Sequence, residues 1–168
     1  MMTDKENFIQ LKDSGILKLE IVDSKGNSTG EFLEFDLEDI ELPLKYQQMI
    51  EDDKKNKEWL KDRITIIEKR QDVKGKKLLS KNEEDKIKAL NEFYNKEVEI
   101  LDMFLGVGGV NKLLNGRKLG WTTLDEIDEI VGKQIAPHID LTIKGITDKI
   151  KSKYGKKKVE NDDKEVLK

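Results

Sequence analysis

The chain has 168 residues, 40% of them charged and 36% apolar, with a formal charge of −3 at pH 7 and no cysteine. This size suits one domain, or one domain with appendages. The missing thiols exclude disulfides and thiolate metal sites, and the mild acidity argues against a dedicated nucleic-acid binder.

The opening MMTDKENF is polar and acidic, with no apolar run behind it, so it does not read as a signal peptide. No stretch approaches 18 apolar residues, so no membrane contact is expected and the cytosol is the default compartment. Residues 1–12 carry only Phe8, Ile9 and Leu11 as anchors and read as a frayed arm or a short docked helix. Ile16–Val22 and Glu31–Asp36 read as two strands around the turn cluster Asp23–Gly30. Such a hairpin needs a helical face beneath it or another chain at its edge.

Pro43 near Leu44 marks a helix start, and the helix runs to about Arg70. Positions 46, 50, 53, 57, 60, 64 and 67 share one face, but Asp53 and Lys57 interrupt it. The polar middle, Glu51–Glu58, is therefore expected to lack core contacts. Glu51 with Lys55 and Asp53 with Lys57 are spaced as i,i+4 pairs that support an exposed continuous helix. Gln71–Lys81 reads as a lysine-rich solvated linker.

Asn82–Arg117 is the best-defined segment. Asn82 is the expected N-cap, followed by acids in the first turn. Ile87, Leu90, Tyr94, Val98, Leu101 and Leu105 form an apolar stripe. Phe93, Glu97, Ile100 and Phe104 form an adjacent row that is apolar except for Glu97. Met103 is expected to fill a core gap. Gly106, Gly108 and Gly109 turn the chain into a short helix that includes Val110, Leu113 and Leu114, and Gly116 is its expected left-handed stop. Asp102 can accept backbone N–H bonds from that short helix and so fix the turn.

Lys118–Thr123 reads as a turn holding Trp121, with Thr122 or Thr123 capping the next helix. Leu124, Ile127, Val131 and Ile135 mark its buried face, and Pro137 closes or kinks it. Ile139, Ile143, Ile146 and Ile150 continue a helical period, weakened by Gly145, Thr142 and Thr147. In residues 151–168 lysines outnumber acids seven to four, and the segment reads as a flexible charged tail. The fold expectation is mainly α: a small helical bundle over residues 41–150, an N-terminal arm and β-hairpin over 1–40, and the tail.

Reaction chemistry is scarce. His138 is the one histidine, and its nearest acid, Asp140, points elsewhere on a helix. The glycine run follows a helix and matches no phosphate-loop fingerprint. No catalytic residue, cofactor site or metal site is assigned, and the chain does not read as an enzyme. Trp59 and Trp121 are the candidate interface anchors.

The segment ILDMFLGVGGVNKLLNGR, residues 100–117, resembles a pattern in tail assembly chaperones of long-tailed bacteriophages that infect Gram-positive bacteria. There an apolar helix ends in Asp and Phe, a glycine-rich turn follows, and a short helix closes on Gly-Arg. Asp102, Phe104, Gly106, Gly108, Leu113, Leu114, Gly116 and Arg117 match, and Pro137 falls where the next helix ends. Leu105 and Asn115 depart from the pattern, in which Phe-Gly pairs are common. Counted from residue 100 through Pro137, the match covers about a quarter of the chain, and it contains no catalytic signature. The resemblance implies a virion-assembly protein of the host cell cytoplasm that coats the tape measure protein and keeps it soluble. It also implies contacts with tail tube subunits and a longer form of the chain made by ribosomal frameshifting. The expected binding surface combines Trp59, Trp121, Ile139, Ile143 and Ile146, on helices around residues 44–70 and 124–150. Two other readings stand beside it: a structural virion component such as a tail or connector subunit, and a small helical regulatory or nucleic-acid-associated protein.

Overall fold

In the computed structural model, which describes residue 11 and residues 15–155, the alternating apolar residues near the start form an antiparallel hairpin. Strand β1 is Ile16–Val22 and strand β2 is Ser28–Asp36. The turn is shorter than its composition suggested. Asp23 Oδ1 accepts the N–H groups of Lys25 and Asn27, both at 2.9 Å, and Thr29 donates to the Ile21 carbonyl at 2.8 Å. These bonds bring Ser28–Gly30 into the strand. Alternation then puts Ile21, Leu33 and Phe35 in the core, with Leu17 and Leu19 packed beside them. The hairpin therefore lies on a helical body.

Among the described residues that body has five α-helices: α1 (Leu42–Glu68), α2 (Lys81–Leu105), α3 (Gly109–Leu114), α4 (Trp121–Ile130) and α5 (Ala136–Ile150). The chain is mainly helical with an N-terminal hairpin, as expected. Helix α1 runs unbroken for 27 residues, or about 40 Å at the usual rise. Asp53 and Lys57 form their i,i+4 pair at 2.9 Å, whereas Glu51 accepts from Gln47 at 3.2 Å instead of meeting Lys55. Helix α2 runs antiparallel to α1: Tyr46 meets Phe104, Asn56 meets Phe93 and Glu97, and Arg70 meets Asp85.

Several boundaries and faces differ from expectation. Ser80, not Asn82, caps α2. Its hydroxyl accepts the Glu83 N–H at 3.1 Å, and the Glu83 carboxylate accepts the Ser80 N–H at 2.7 Å. That reciprocal pair satisfies two end donors where Asn82 would satisfy one. Asn82 lies inside the helix and donates to the Arg70 carbonyl at 3.2 Å. The buried face of α2 is Phe93, Glu97, Ile100 and Phe104 with Leu101 and Leu105, while Ile87 at the stripe's start is 52% exposed. Met103 is exposed rather than filling the core.

Helix α4 starts at Trp121, so this residue is not in the turn. Thr123 sits in the first helical turn, accepts the Gly120 N–H at 2.7 Å and donates to the Lys118 carbonyl at 3.1 Å. Leu124, Ile127, Val131 and Ile135 are buried as expected. Pro137 has no N–H to give, and the preceding Val131–Ile135 form a π-type turn. The helical path continues through this turn into α5 without ending. A second π-type turn, Lys151–Gly155, extends α5 into the first residues of the expected tail. The remaining expectations for the tail and the N-terminal arm fall outside the described residues, apart from Leu11, which is exposed.

Candidate functional site

The polar middle of α1 does meet the core, which overturns the expectation for Glu51–Glu58. Glu97 of α2 has no exposed surface, and Asn56 of α1 is buried against it. Asn56 Nδ2 donates to Glu97 Oε1 at 2.7 Å and to the Phe93 carbonyl at 3.1 Å. Lys57 bridges from Asp53, at 2.9 Å, to Asp128 of α4, at 3.6 Å. The interruption of the α1 face and that of the α2 row are thus one feature seen from two sides.

This polar layer has its own electrostatics. Burial is the largest influence on Glu97; the Asn56 hydrogen bond opposes it, the Asp53 carboxylate adds to it, and the result is pushed up from 4.5 to about 7. Burial also raises Asp128, partly offset by Lys57. Desolvation disfavours the Lys57 ammonium, but Asp53, Asp128 and Glu97 outweigh it and hold Lys57 above its ordinary value.

Two grooves flank the layer. One, of about 930 Å³, lies between α1 and α2 and is lined by Asn56, Trp59, Ile100 and Met103 among alternating acids and lysines. The other, of about 390 Å³, lies between α1 and α4 over Phe93 of α2. Leu60, Ile64, Leu124 and Trp121 make its walls apolar, and Lys57, Lys61, Asp125 and Asp128 add charge around them. Trp121 is 63% exposed there. The two tryptophans therefore serve different grooves. Of the isoleucines expected on the binding surface, Ile139 is only 1% exposed and belongs to the core. Ile143 is 45% exposed and Ile146 half-buried, and neither lines the groove beside Trp121. Sequence reasoning missed Leu60, Ile64 and Leu124 as groove walls, since each carries an ordinary core pattern.

The glycine-rich corner is fixed by Asp102, whose carboxylate accepts the N–H of Val110 at 2.9 Å and of Gly108 at 3.3 Å. Gly108 takes a left-handed φ of +76°, and a Cβ at Gly109 would lie 2.7 Å from that of Leu105. Phe104 packs against Phe35 and Tyr46 with ring centroids 5.4 and 5.3 Å away, joining β2, α1 and α2. Asn115 and Gly116 both take left-handed conformations after α3, so the stop is a two-residue device. Arg117 reaches Glu126 of α4 at 3.3 Å on the surface. Gly106 is the C-cap of α2, and its N–H donates to the Asp102 carbonyl at 2.9 Å.

Among the described residues no three His, Cys, Asp or Glu side chains converge as a metal set, and no helix is long and apolar enough to cross a membrane. His138 is half-buried at the start of α5, and its carbonyl accepts from Thr142 at 2.9 Å. Comparison with protein-family models, curated proteins and solved structures gives no match.

Proposed function

We propose that this chain is a tail assembly chaperone of a long-tailed bacteriophage, which binds the tape measure protein in the host cytoplasm and keeps it soluble until tail tube subunits polymerise around it. The observation that carries this reading is the apolar groove of Leu60, Ile64, Leu124 and the exposed Trp121. A long amphipathic helical client presents apolar side chains at intervals of three and four residues, and a groove between helices accepts them. Many copies along one client add avidity to individually weak contacts. The resemblance of residues 100–117 supports the same reading, and the chaperone acts by binding, with no catalytic step.

Co-expression with the cognate tape measure protein, followed by affinity capture, tests it. The unaltered chain retains the client in the soluble fraction, and Trp121→Ala lowers its recovery at least tenfold. Equal recovery with the variant overturns the groove assignment. A second reading, a tail or connector subunit, is favoured by the outer edges of the two-stranded hairpin, which pair with no further strand among the described residues. Mass spectrometry of purified virions separates the two: a subunit is present in the particle and a chaperone is absent.

A further inference from the structure

Glu97 Oε1 is held by Asn56, but Glu97 Oε2 is buried without a hydrogen-bond partner. The one other such side-chain atom among the described residues is Asp53 Oδ1, on the facing helix. Asp53 sits one turn before Asn56 and Lys57 on α1, and its carboxyl group acts on Glu97 as a like charge and as a hydrogen-bonding neighbour. Two ionised carboxylates can only accept, so neither satisfies the other. One proton between them satisfies both oxygens at once and removes one of two like charges from a buried layer.

We propose that Asp53 and Glu97 share a single proton, and that this proton is a pH-sensitive latch on the junction of α1, α2 and α4. With the proton bound, Lys57 is divided between Asp53 and Asp128 and ties α4 to α1. When the proton leaves, two anions face each other and Lys57 is drawn toward them, away from Asp128. Asp125, beside Asp128 on α4, then adds to the uncompensated negative charge on that helix. Helix α4 loosens, and Trp121 at its first position moves with it. The groove beside Trp121 therefore changes shape with pH. Burial, with the Asp53 charge, places the Glu97 titration near neutrality. The latch contributes its full stability below the ordinary glutamate value and loses it as pH rises through about 7.

Carboxyl carbon NMR of the full chain, labelled at glutamate, gives the first test. One glutamate resonance, assigned by its loss in Glu97→Gln, titrates with a midpoint at least 1.5 units above the others; a midpoint among the others overturns the proposal. The second test is thermal unfolding between pH 5 and 8.5. The side-chain amide introduced by Glu97→Gln donates to Asp53 at every pH, so this variant flattens the fall in Tm seen for the unaltered chain. If that variant does not fold, Asp53→Asn supplies the same permanent donor from the other side. An unchanged pH dependence in a folded variant overturns the latch. His138→Gln is the control for the chain's one histidine; loss of the pH dependence in that variant alone also overturns the proposal. In a Trp59→Phe background the emission of Trp121 follows the Glu97 midpoint, and an emission constant across that range overturns the link to the groove.

Discussion

The α1–α2 pair is held by different physics at its two ends. At the corner end, Phe104, Phe35 and Tyr46 stack where α2 and β2 meet α1, and Leu101, Leu105 and Val110 fill the space around them. Burial there is worth about 1.5–3 kcal/mol per large apolar side chain and does not depend on a charged group. At the waist, Asn56 and Glu97 occupy core positions with a hydrogen bond between them, and the half-buried Asp53 and exposed Lys57 carry the charge beside them. Such a layer contributes little net stability compared with an apolar one, because desolvation offsets attraction. It is demanding about position: sliding α1 by one turn leaves Glu97 with no donor. The apolar end supplies the strength of the pair, and the waist supplies its register and its dependence on pH.

Four measurements break or sharpen this contrast. Phe104→Ala is expected to cost about 3–5 kcal/mol in urea unfolding, and to cost the same at pH 5 and pH 8. A cost that changes with pH would join the two ends into one system. Raising the pH from 5 to 8 is expected to cost the unaltered chain on the order of 3 kcal/mol. A Glu97 proton held up to about 7 in the folded state, against 4.5 when unfolded, is released across this window. The carboxylates at Asp72, Glu84, Asp85 and Glu129 are lowered by their partners, so their contributions vanish only under more acidic conditions and do not mask the slope. Ser80→Ala removes the cap of α2 and is expected to cost about 1 kcal/mol, with no pH dependence between 5 and 8. Arg117→Ala breaks an exposed ion pair and is expected to change stability by less than about 0.5 kcal/mol, an effect that 0.5 M salt abolishes.

Both ends left marks in the sequence, of unequal clarity. The apolar period of α2, the hairpin alternation and the glycine corner are local signals, and each placed its element within a few residues. Ser80 and Glu83 spell the capping box outright, but the acids after Asn82 drew the start of α2 two residues too late. The waist was visible only as two exceptions, Glu97 in one row and Asp53 with Lys57 in another. Nothing local says that residues 41 to 44 positions apart face each other. That knowledge comes from the antiparallel pairing, which is set by the connector Lys69–Ser80 and the packing beyond it. The groove beside Trp121 was illegible for a similar reason: Leu60, Ile64 and Leu124 carry core periodicity, and a gap between helices is a property of three elements together. Ile139 and Ile143 belong to one periodic stripe, yet the first is core and the second surface, because the body ends between them.

The π-type turn Val131–Ile135 also acts as a phase adjuster. One surplus residue in a helix rotates everything downstream by about 100° about the axis. Were Val131–Ile135 wound as α-helix, Ile139 would turn off the packed side, and the half-buried His138 and Thr142 would come inward in its place. Excising Gly132 removes the surplus residue and keeps the phase of α5, so α5 should stay docked, whereas an alanine inserted after Ala136 should leave α5 helical by circular dichroism but undocked, its backbone amides exchanging with deuterium as fast as those of an isolated peptide.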